Sequence, residues 1–181
     1  MKAVLISIQP KWCELIASGK KTVEVRKKKP KLETPFKVYI YATWNGKKTD
    51  ILVKQGKTLF VADYRTMADR ASGKVIGEFV CDNIFTIRYS CGSYRCEGLN
   101  RHENDRIASA SQLSLYDMRN YLSCNGGYAW HISDLVIYDK PKELGDFRLR
   151  GVNKMWSTAK KLERPPQSWC YVEEVQDGKC N

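Results

Sequence analysis

The sequence lacks the features that mark several large classes of protein. It contains no apolar run approaching the ~20 residues that cross a bilayer, and residues 1–10 do not show the charged segment and apolar core of a secretory leader. It also lacks a glycine-rich phosphate loop, a nucleophile elbow and internal repeats. We therefore expect a soluble, cytoplasmic protein that does not bind a membrane.

Histidine is scarce, with only two in the chain, and the seven cysteines follow no metal-binding spacing. An odd cysteine count without a leader favours reduced thiols. Cys91 and Cys96 are too loosely spaced for a zinc-finger knuckle. His102 and Cys124 follow them, but no second close cysteine pair exists. We therefore expect neither a metal ion nor another cofactor.

Basic residues outnumber acidic ones by 31 to 20, which gives a formal net charge of +11. A surplus of this size attracts polyanions through counterion release. It favours a nucleic-acid or nucleotide partner, and a solvated basic surface is the simpler alternative. Seven of the cations lie within residues 20–31, namely Lys20, Lys21, Arg26, Lys27, Lys28, Lys29 and Lys31.

The hydrophobic pattern predicts a strand, a helix and a second strand at the start of the chain. Residues 3–8 are apolar and rich in β-branched side chains, as in a buried strand. Apolar residues then recur at helical spacing up to Gly19, which is suited to end a helix. Residues 22–26 alternate between polar and apolar, which indicates a half-exposed strand.

Further elements are predicted along the rest of the chain. Ser114 and Asp117 have the spacing of a capping box at the start of a helix, and Gly77 suits a bulge or a close approach of two backbones. The other predicted strands cover residues 36–43, 74–87, 128–138 and 168–175. We expect an α+β fold, a mixed β-barrel of about six strands with two or more short helices. It forms a single domain over residues 1–181, with insertions at 44–73 and 145–164.

Residues 10–26 read P-x-W-x-x-x-I-x-x-G-x-K-T-V-E-V-R, which resembles the signature of ASCH domains. Four further pieces resemble the family in the same order, at residues 38–43, 73–79, 128–131 and 164–171. The last two resemble the ends of ASCH proteins that are common in phages and prophages. The resemblance implies a PUA-like barrel with a groove beside the first helix.

The resemblance also implies a role in RNA-linked processes. One branch of ASCH proteins removes acyl groups from N4-acylated cytidine, and another has reported ribonuclease activity. We favour an RNA- or nucleotide-binding protein without catalysis. The alternatives are a small amidohydrolase acting on N4-acylated cytosine nucleosides, a ribonuclease, and an accessory protein that binds a host protein.

The motif supplies the centre of the candidate site. Lys20, Lys21 and Arg26 suit the binding of phosphate. Glu24 shares a strand face with Thr22 and Arg26. It is either a ligand for a base amino group, a general base, or the partner of a structural ion pair. In the amidohydrolase alternative Lys21 and Glu24 are catalytic, but Glu24 stands where the resemblance places the nucleophilic threonine.

Four other residues complete the predicted ligand-binding set. Tyr41, Thr43 and Trp44 end a predicted strand beside a turn, where aromatic rings can stack on a base. His131 is suited to acid–base chemistry, and a structural histidine is the alternative.

Overall fold

The computed structural model describes residues 3–46, 49–63, 69–149 and 160–174. Backbone contacts divide the chain into two compact units. Unit 1 comprises Met1–Glu14, Lys37–Phe79 and Val136–Asn181, and unit 2 comprises Leu15–Phe36 and Val80–Leu135. A single domain with insertions at 44–73 and 145–164 stays a prediction. Residues 64–68 and 150–159 of those insertions lie outside the described residues.

The described residues form thirteen strands, three α-helices and a short 3-10 helix at Leu144–Asp146. The helices are α1 (Pro10–Ala17), α2 (Arg101–Ser111) and α3 (Leu115–Leu122). The strands are β1 (Ala3–Ile8), β2 (Val23–Arg26), β3 (Phe36–Ala42), β4 (Ile51–Gln55), β5 (Thr58–Ala62), β6 (Val75–Cys81), β7 (Ile84–Ser90), β8 (Ser93–Cys96), β9 (Gly127–His131), β10 (Ser133–Lys142), β11 (Phe147–Leu149), β12 (Lys160–Lys161) and β13 (Trp169–Glu174).

A seven-stranded sheet in the order β10-β6-β3-β1-β13-β11-β12 provides the core of unit 1. β1 runs parallel to β3 and antiparallel to β13. Its inward side chains pack in a cluster with Tyr39, Val75 and Phe147. A Cβ added to Gly77 of β6 would lie 2.3 Å from the carbonyl oxygen of Val136. This contact confirms the predicted close approach of two backbones, which explains why a residue without a side chain stands there.

An antiparallel four-stranded sheet in the order β2-β9-β7-β8 forms the frame of unit 2. Apolar side chains of this sheet and of helices α2 and α3 pack in one cluster, whose buried members are Val23, Val25, Ile87, Cys96, Met118, Leu122 and Ala129. The helices therefore cover one face of the sheet. Within the described residues, no helix is both long and apolar enough to cross a membrane.

Helices α2 and α3 both begin with a capping box, but the hydrophobic pattern predicts only α3. Ser114 and Asp117 form the predicted capping box at the start of α3. The pattern does not predict α2, because most of its residues are polar and its apolar stripe is short. Asn100 and Glu103 form a second capping box there, which satisfies backbone N–H groups at the helix start.

The mixed α+β class is confirmed, but the strands are shorter and more numerous than predicted. The predicted strand at 74–87 is broken at Asp82–Asn83, and the one at 128–138 is broken at Ile132. The described strands form three open sheets. A closed barrel therefore stays a prediction.

Candidate functional site

The turn after α1 positions the first of the predicted site residues. Gly19 adopts a φ of +74°, a left-handed conformation that favours glycine. The backbone N–H of Lys21 then donates to the carbonyl oxygen of Leu15 over 2.9 Å. Gly19 thus ends the helical segment as the sequence predicts, and Lys21 lies in unit 2 just before β2.

Lys21, Glu24 and Arg26 form a buried ion-pair cluster in unit 2. Lys21 Nζ lies 3.3 Å from Glu24 Oε2, and Arg26 Nη2 lies 2.9 Å from Glu24 Oε1. The side chains of Lys21, Glu24 and Arg26 are 1%, 8% and 8% exposed. Lys21 Nζ also donates to the carbonyl oxygen of Ser111 over 2.5 Å. With all three side chains ionised, two cations share one carboxylate and the cluster carries one positive charge.

Burial sets the protonation behaviour of this cluster. Desolvation lowers the pKa of Lys21 below its ordinary value, and the nearby charge of Arg26 lowers it further. The charge and the hydrogen bond of Glu24 oppose both effects without cancelling them. A lysine of this kind loses its proton more readily than a surface lysine. This property suits either a proton transfer or a site that gains charge when an anion binds.

The lowered pKa of Lys21 predicts a pH-dependent stability. Because the unfolded lysine binds a proton more tightly than the folded one, Lys21 destabilises the fold at pH values below its folded pKa. This penalty disappears as the pH rises toward the unfolded value of 10.5. We expect the unfolding free energy of wild type, relative to that of Lys21→Met, to increase as the pH rises from neutral. Urea titrations at several pH values measure this difference. Lys20→Met, at the exposed neighbouring position, is the control and is expected to follow wild type.

The register of β2 against β9 decides which predicted residues share a face. Glu24 pairs with Trp130, and Arg26 pairs with Tyr128. Directly opposed residues in an antiparallel pair point to the same face, so these four side chains lie together. His131 pairs with Val23 and therefore lies on the opposite face of the sheet from Glu24. The structure thus separates His131 from the cluster.

His131 is instead paired with an acidic side chain that the sequence analysis missed. Its Nδ1 lies 2.7 Å from Asp82 Oδ1, and the two side chains are 40% and 44% exposed. Burial raises the pKa of Asp82, but the hydrogen bond and charge of His131, together with backbone hydrogen bonds, outweigh it and hold that pKa below its ordinary value. The two strand breaks bring these residues together, and spacing along the sequence contains no signal of such a contact.

The remaining cations of the motif have a different environment from the cluster. Lys20 and the lysines at 27, 28, 29 and 31 are exposed. Thr22 is half-buried, and its backbone N–H donates to the carbonyl oxygen of Ala110 over 3.0 Å. The seven clustered cations therefore divide into two buried ones, Lys21 and Arg26, and five exposed ones.

Tyr41, Thr43 and Trp44 belong to unit 1. Tyr41 is 7% exposed and packs in the core cluster of that unit. The backbone N–H of Thr43 donates to the carbonyl oxygen of Ile8 over 2.8 Å. Trp44 is 43% exposed, and the guanidinium of Arg70 lies 3.9 Å from its ring centroid. A common cleft for these three residues and the cluster stays a prediction.

Side chains that commonly bind metal ions are scattered in the described part of the chain. There, no three side chains of histidine, cysteine, aspartate or glutamate are grouped so that they could hold a metal ion. The chemistry available in the cluster is therefore that of one carboxylate, one lysine and one guanidinium group.

Comparison with known proteins assigns the sequence to a family and identifies solved structures of similar fold. Residues 6–116 match the ASCH domain, while no curated protein matches the sequence. The fold is similar to the crystal structure of ASCH from Zymomonas mobilis, with 21% identity, a TM-score of 0.56, and coverage of 94% of this chain and 87% of that one.

Two variants of the Zymomonas mobilis protein are similar in the same way. One, with a tyrosine replaced by phenylalanine, has a TM-score of 0.58 at 20% identity, over 97% of this chain and 93% of that one. The other, with a serine replaced by alanine, has a TM-score of 0.57 at 20% identity, over 96% and 89%. Because the ASCH match covers more than half of the sequence, the chain belongs to the ASCH domain family.

Proposed function

We propose that this protein binds RNA or a nucleotide through basic residues that follow its first helix. The observation that carries the proposal is the buried Lys21–Glu24–Arg26 cluster, which leads directly along the chain into the exposed lysines at 27, 28, 29 and 31. Membership of the ASCH family and the net charge of +11 support it.

The charge balance of the cluster favours an anionic ligand. Two cations held by one carboxylate leave a positive charge in a poorly solvated position, where charge is costly. A phosphate oxygen beside Arg26, whose side chain is 8% exposed, would offset that charge. The exposed lysines would then attract the remaining phosphates of a longer ligand through the solvent.

Binding of a short single-stranded RNA, followed by fluorescence anisotropy, tests the proposal. We expect affinity to fall steeply from low to moderate salt, since each neutralised phosphate contributes ~0.7 to the slope of log K against log salt. Changing Lys27, Lys28 and Lys29 to glutamine is expected to reduce that slope by about 2.

The control carries the same charge change elsewhere. Lys57, Lys140 and Lys161 are also exposed, and their change to glutamine is expected to leave most of the slope in place. Affinity that does not vary with salt would contradict the proposal, and so would equal effects of the two triple variants.

A catalytic function is the second candidate, because Lys21 combines a lowered pKa with a carboxylate 3.3 Å away. These features suit an amidohydrolase that acts on N4-acylated cytosine nucleosides. Glu24 in place of the expected nucleophilic threonine argues against it. Incubation with N4-acetylcytidine tests it, and product that disappears in Lys21→Ala would support it.

A ribonuclease is a third candidate, with the His131–Asp82 pair as its acid–base group. RNA that is shortened by wild type and left intact by His131→Gln would support it.

The phage or prophage origin and the closed PUA-like barrel, both implied by the resemblance, are part of the proposal as well.

A further inference from the structure

One end of the sheet in unit 2 collects tyrosines and cations. Neighbouring strands are antiparallel in the order β2-β9-β7-β8. The same end of the sheet therefore contains the last residues of β2 and β7 and the first residues of β9 and β8. Helix α3 finishes beside this end of the sheet, since the backbone N–H of Cys124 donates to Tyr94 Oη over 3.2 Å. We name this end of the sheet the tyrosine end, after Tyr89, Tyr94, Tyr121 and Tyr128. Tyr128 pairs with Arg26 and Thr86, so it lies on the face of the sheet opposite to Tyr89 and Tyr94.

Each part of the tyrosine end combines a ring with a cation. Lys27 Nζ lies 5.3 Å from the ring centroid of Tyr121, and Lys29 Nζ lies 5.4 Å from that of Tyr128. On the neighbouring hairpin, the rings of Tyr89 and Tyr94 lie 4.9 Å apart. Arg119 of α3 donates from Nη2 to the hydroxyl of Tyr89 over 3.4 Å.

The exposure of these side chains suits a ligand. The four tyrosines are half-buried, whereas Lys27, Lys29 and Arg119 are exposed. Tyr94 and Tyr121 pack against the apolar cluster of unit 2, so their rings are held by the protein with part of their surface in solvent. The lysines lie near the ~6 Å limit of a cation–π contact, where they are weakly held and able to turn toward another anion.

This combination matches an unpaired polynucleotide. Single-stranded nucleic acids bind where aromatic rings accept bases by stacking and nearby cations follow the phosphates. A duplex hides the faces of its bases and cannot use the rings in this way. A base stacked on a ring contributes more binding free energy than an exposed cation–π contact does. A base can therefore displace lysine from a ring, and the lysine can then move to a phosphate.

We infer that single-stranded RNA crosses the tyrosine end from one face of the sheet to the other, with bases stacked on Tyr121 and Tyr128 and phosphates held by Lys27 and Lys29. The hairpin rings of Tyr89 and Tyr94, with Arg119, extend the helix-covered side of this end, where Tyr121 lies. The inference rests on the proposed RNA-binding function and specifies its substrate as unpaired RNA. It also adds a surface that lies outside the buried cluster.

Substitutions that remove or keep the rings test the inference in the full chain. In anisotropy titrations at one salt concentration, we expect Tyr121→Leu with Tyr128→Leu to weaken binding of a single-stranded RNA about tenfold or more. Leucine keeps much of the apolar volume that Tyr121 packs into the cluster. The double change to phenylalanine keeps both rings and is expected to bind within about twofold of wild type.

Two controls separate stacking from general effects. Tyr116, also in α3 and 74% exposed, is expected to tolerate leucine without a change in affinity. A duplex RNA of the same length is expected to bind more weakly than the single strand and to be insensitive to loss of the rings. Circular dichroism establishes that each variant is folded.

The outcomes distinguish this inference from the proposed function. If wild type binds no RNA, both fail. If wild type binds single-stranded RNA and the folded leucine variant binds equally well, or the phenylalanine variant loses as much, only the tyrosine end is overturned. Should the leucine variant not fold, photo-crosslinking of wild type to RNA containing 4-thiouridine decides. Crosslinks in the peptides of Tyr121 and Tyr128 support the inference, and crosslinks confined to other peptides overturn it.

Discussion

The Glu24→Gln variant is expected to lose about 3–5 kcal/mol of unfolding free energy, because it leaves buried cations without their carboxylate. Lys21 and Arg26 lie 3.3 Å and 2.9 Å from the two oxygens of Glu24, and their side chains are 1% and 8% exposed. Glutamine preserves the volume, so the loss reports charge rather than packing. Urea denaturation at neutral pH, followed by circular dichroism, measures it.

A surface ion pair provides the matched control for this substitution. Arg88 and Glu97 also form an ion pair in unit 2, but their side chains are 70% and 46% exposed. We expect Glu97→Gln to lose less than ~1 kcal/mol, since solvent screens such pairs. Equal losses in the two variants would contradict the account of the buried cluster.

A pH series adds a second readout for Glu24→Gln. Without the carboxylate, nothing in the Glu24 position opposes the desolvation that lowers the pKa of Lys21. We therefore expect Lys21 to lose its proton at a lower pH, which removes one of the unbalanced charges. The stability difference between wild type and variant is then expected to shrink as the pH rises.

The Gly126→Ala variant is expected to lose about 3 kcal/mol or more, from two separate causes. Gly126 adopts a φ of +71°, where a side chain costs about 1–2 kcal/mol. An added Cβ would also lie 2.3 Å from the carbonyl oxygen of Ile87. Overpacking of this kind costs a further 1–3 kcal/mol or so. Urea denaturation measures the sum.

Gly92 separates the two causes. It adopts a φ of +79°, but a Cβ added there meets nothing within 4 Å. We expect Gly92→Ala to lose only about 1–2 kcal/mol, the cost of the backbone conformation. If both variants lose the same amount, the start of β9 does not approach β7 as closely as the structure shows.

Gly126 also precedes Tyr128 closely, so we expect Gly126→Ala to weaken single-stranded RNA binding as well.

Local patterns were sufficient for several elements. A short apolar run rich in β-branched residues predicted β1, helical spacing predicted α1, and alternation of polar and apolar residues predicted β2. The capping box of Ser114 predicted α3, since the cap acts within one turn. Gly77 predicted a bulge or a close backbone contact, and the motif at residues 10–26 resembles the signature of the ASCH family, to which the chain belongs.

The candidate site was predictable only in part. The motif brought Lys21, Glu24 and Arg26 to neighbouring positions, and the structure confirms that they contact one another. Their burial was not predictable, because the carbonyl oxygen of Ser111 that receives Lys21 lies 90 residues away along the chain. The alternating pattern of residues 22–26 suggested a half-exposed strand, whereas every residue of β2 is buried.

The composition and local spacing of this chain thus specify a basic ASCH domain with a charged motif after its first helix. Strand register specifies the rest. It turns Glu24 and His131 to opposite faces, and it brings Tyr89, Tyr94 and Tyr128 to one end of the sheet, where helix α3 adds Tyr121. Register depends on contacts between distant segments, and a shift of a single residue reverses every side chain. For this reason neither the pairing of His131 with Asp82 nor the tyrosine end is visible in the sequence.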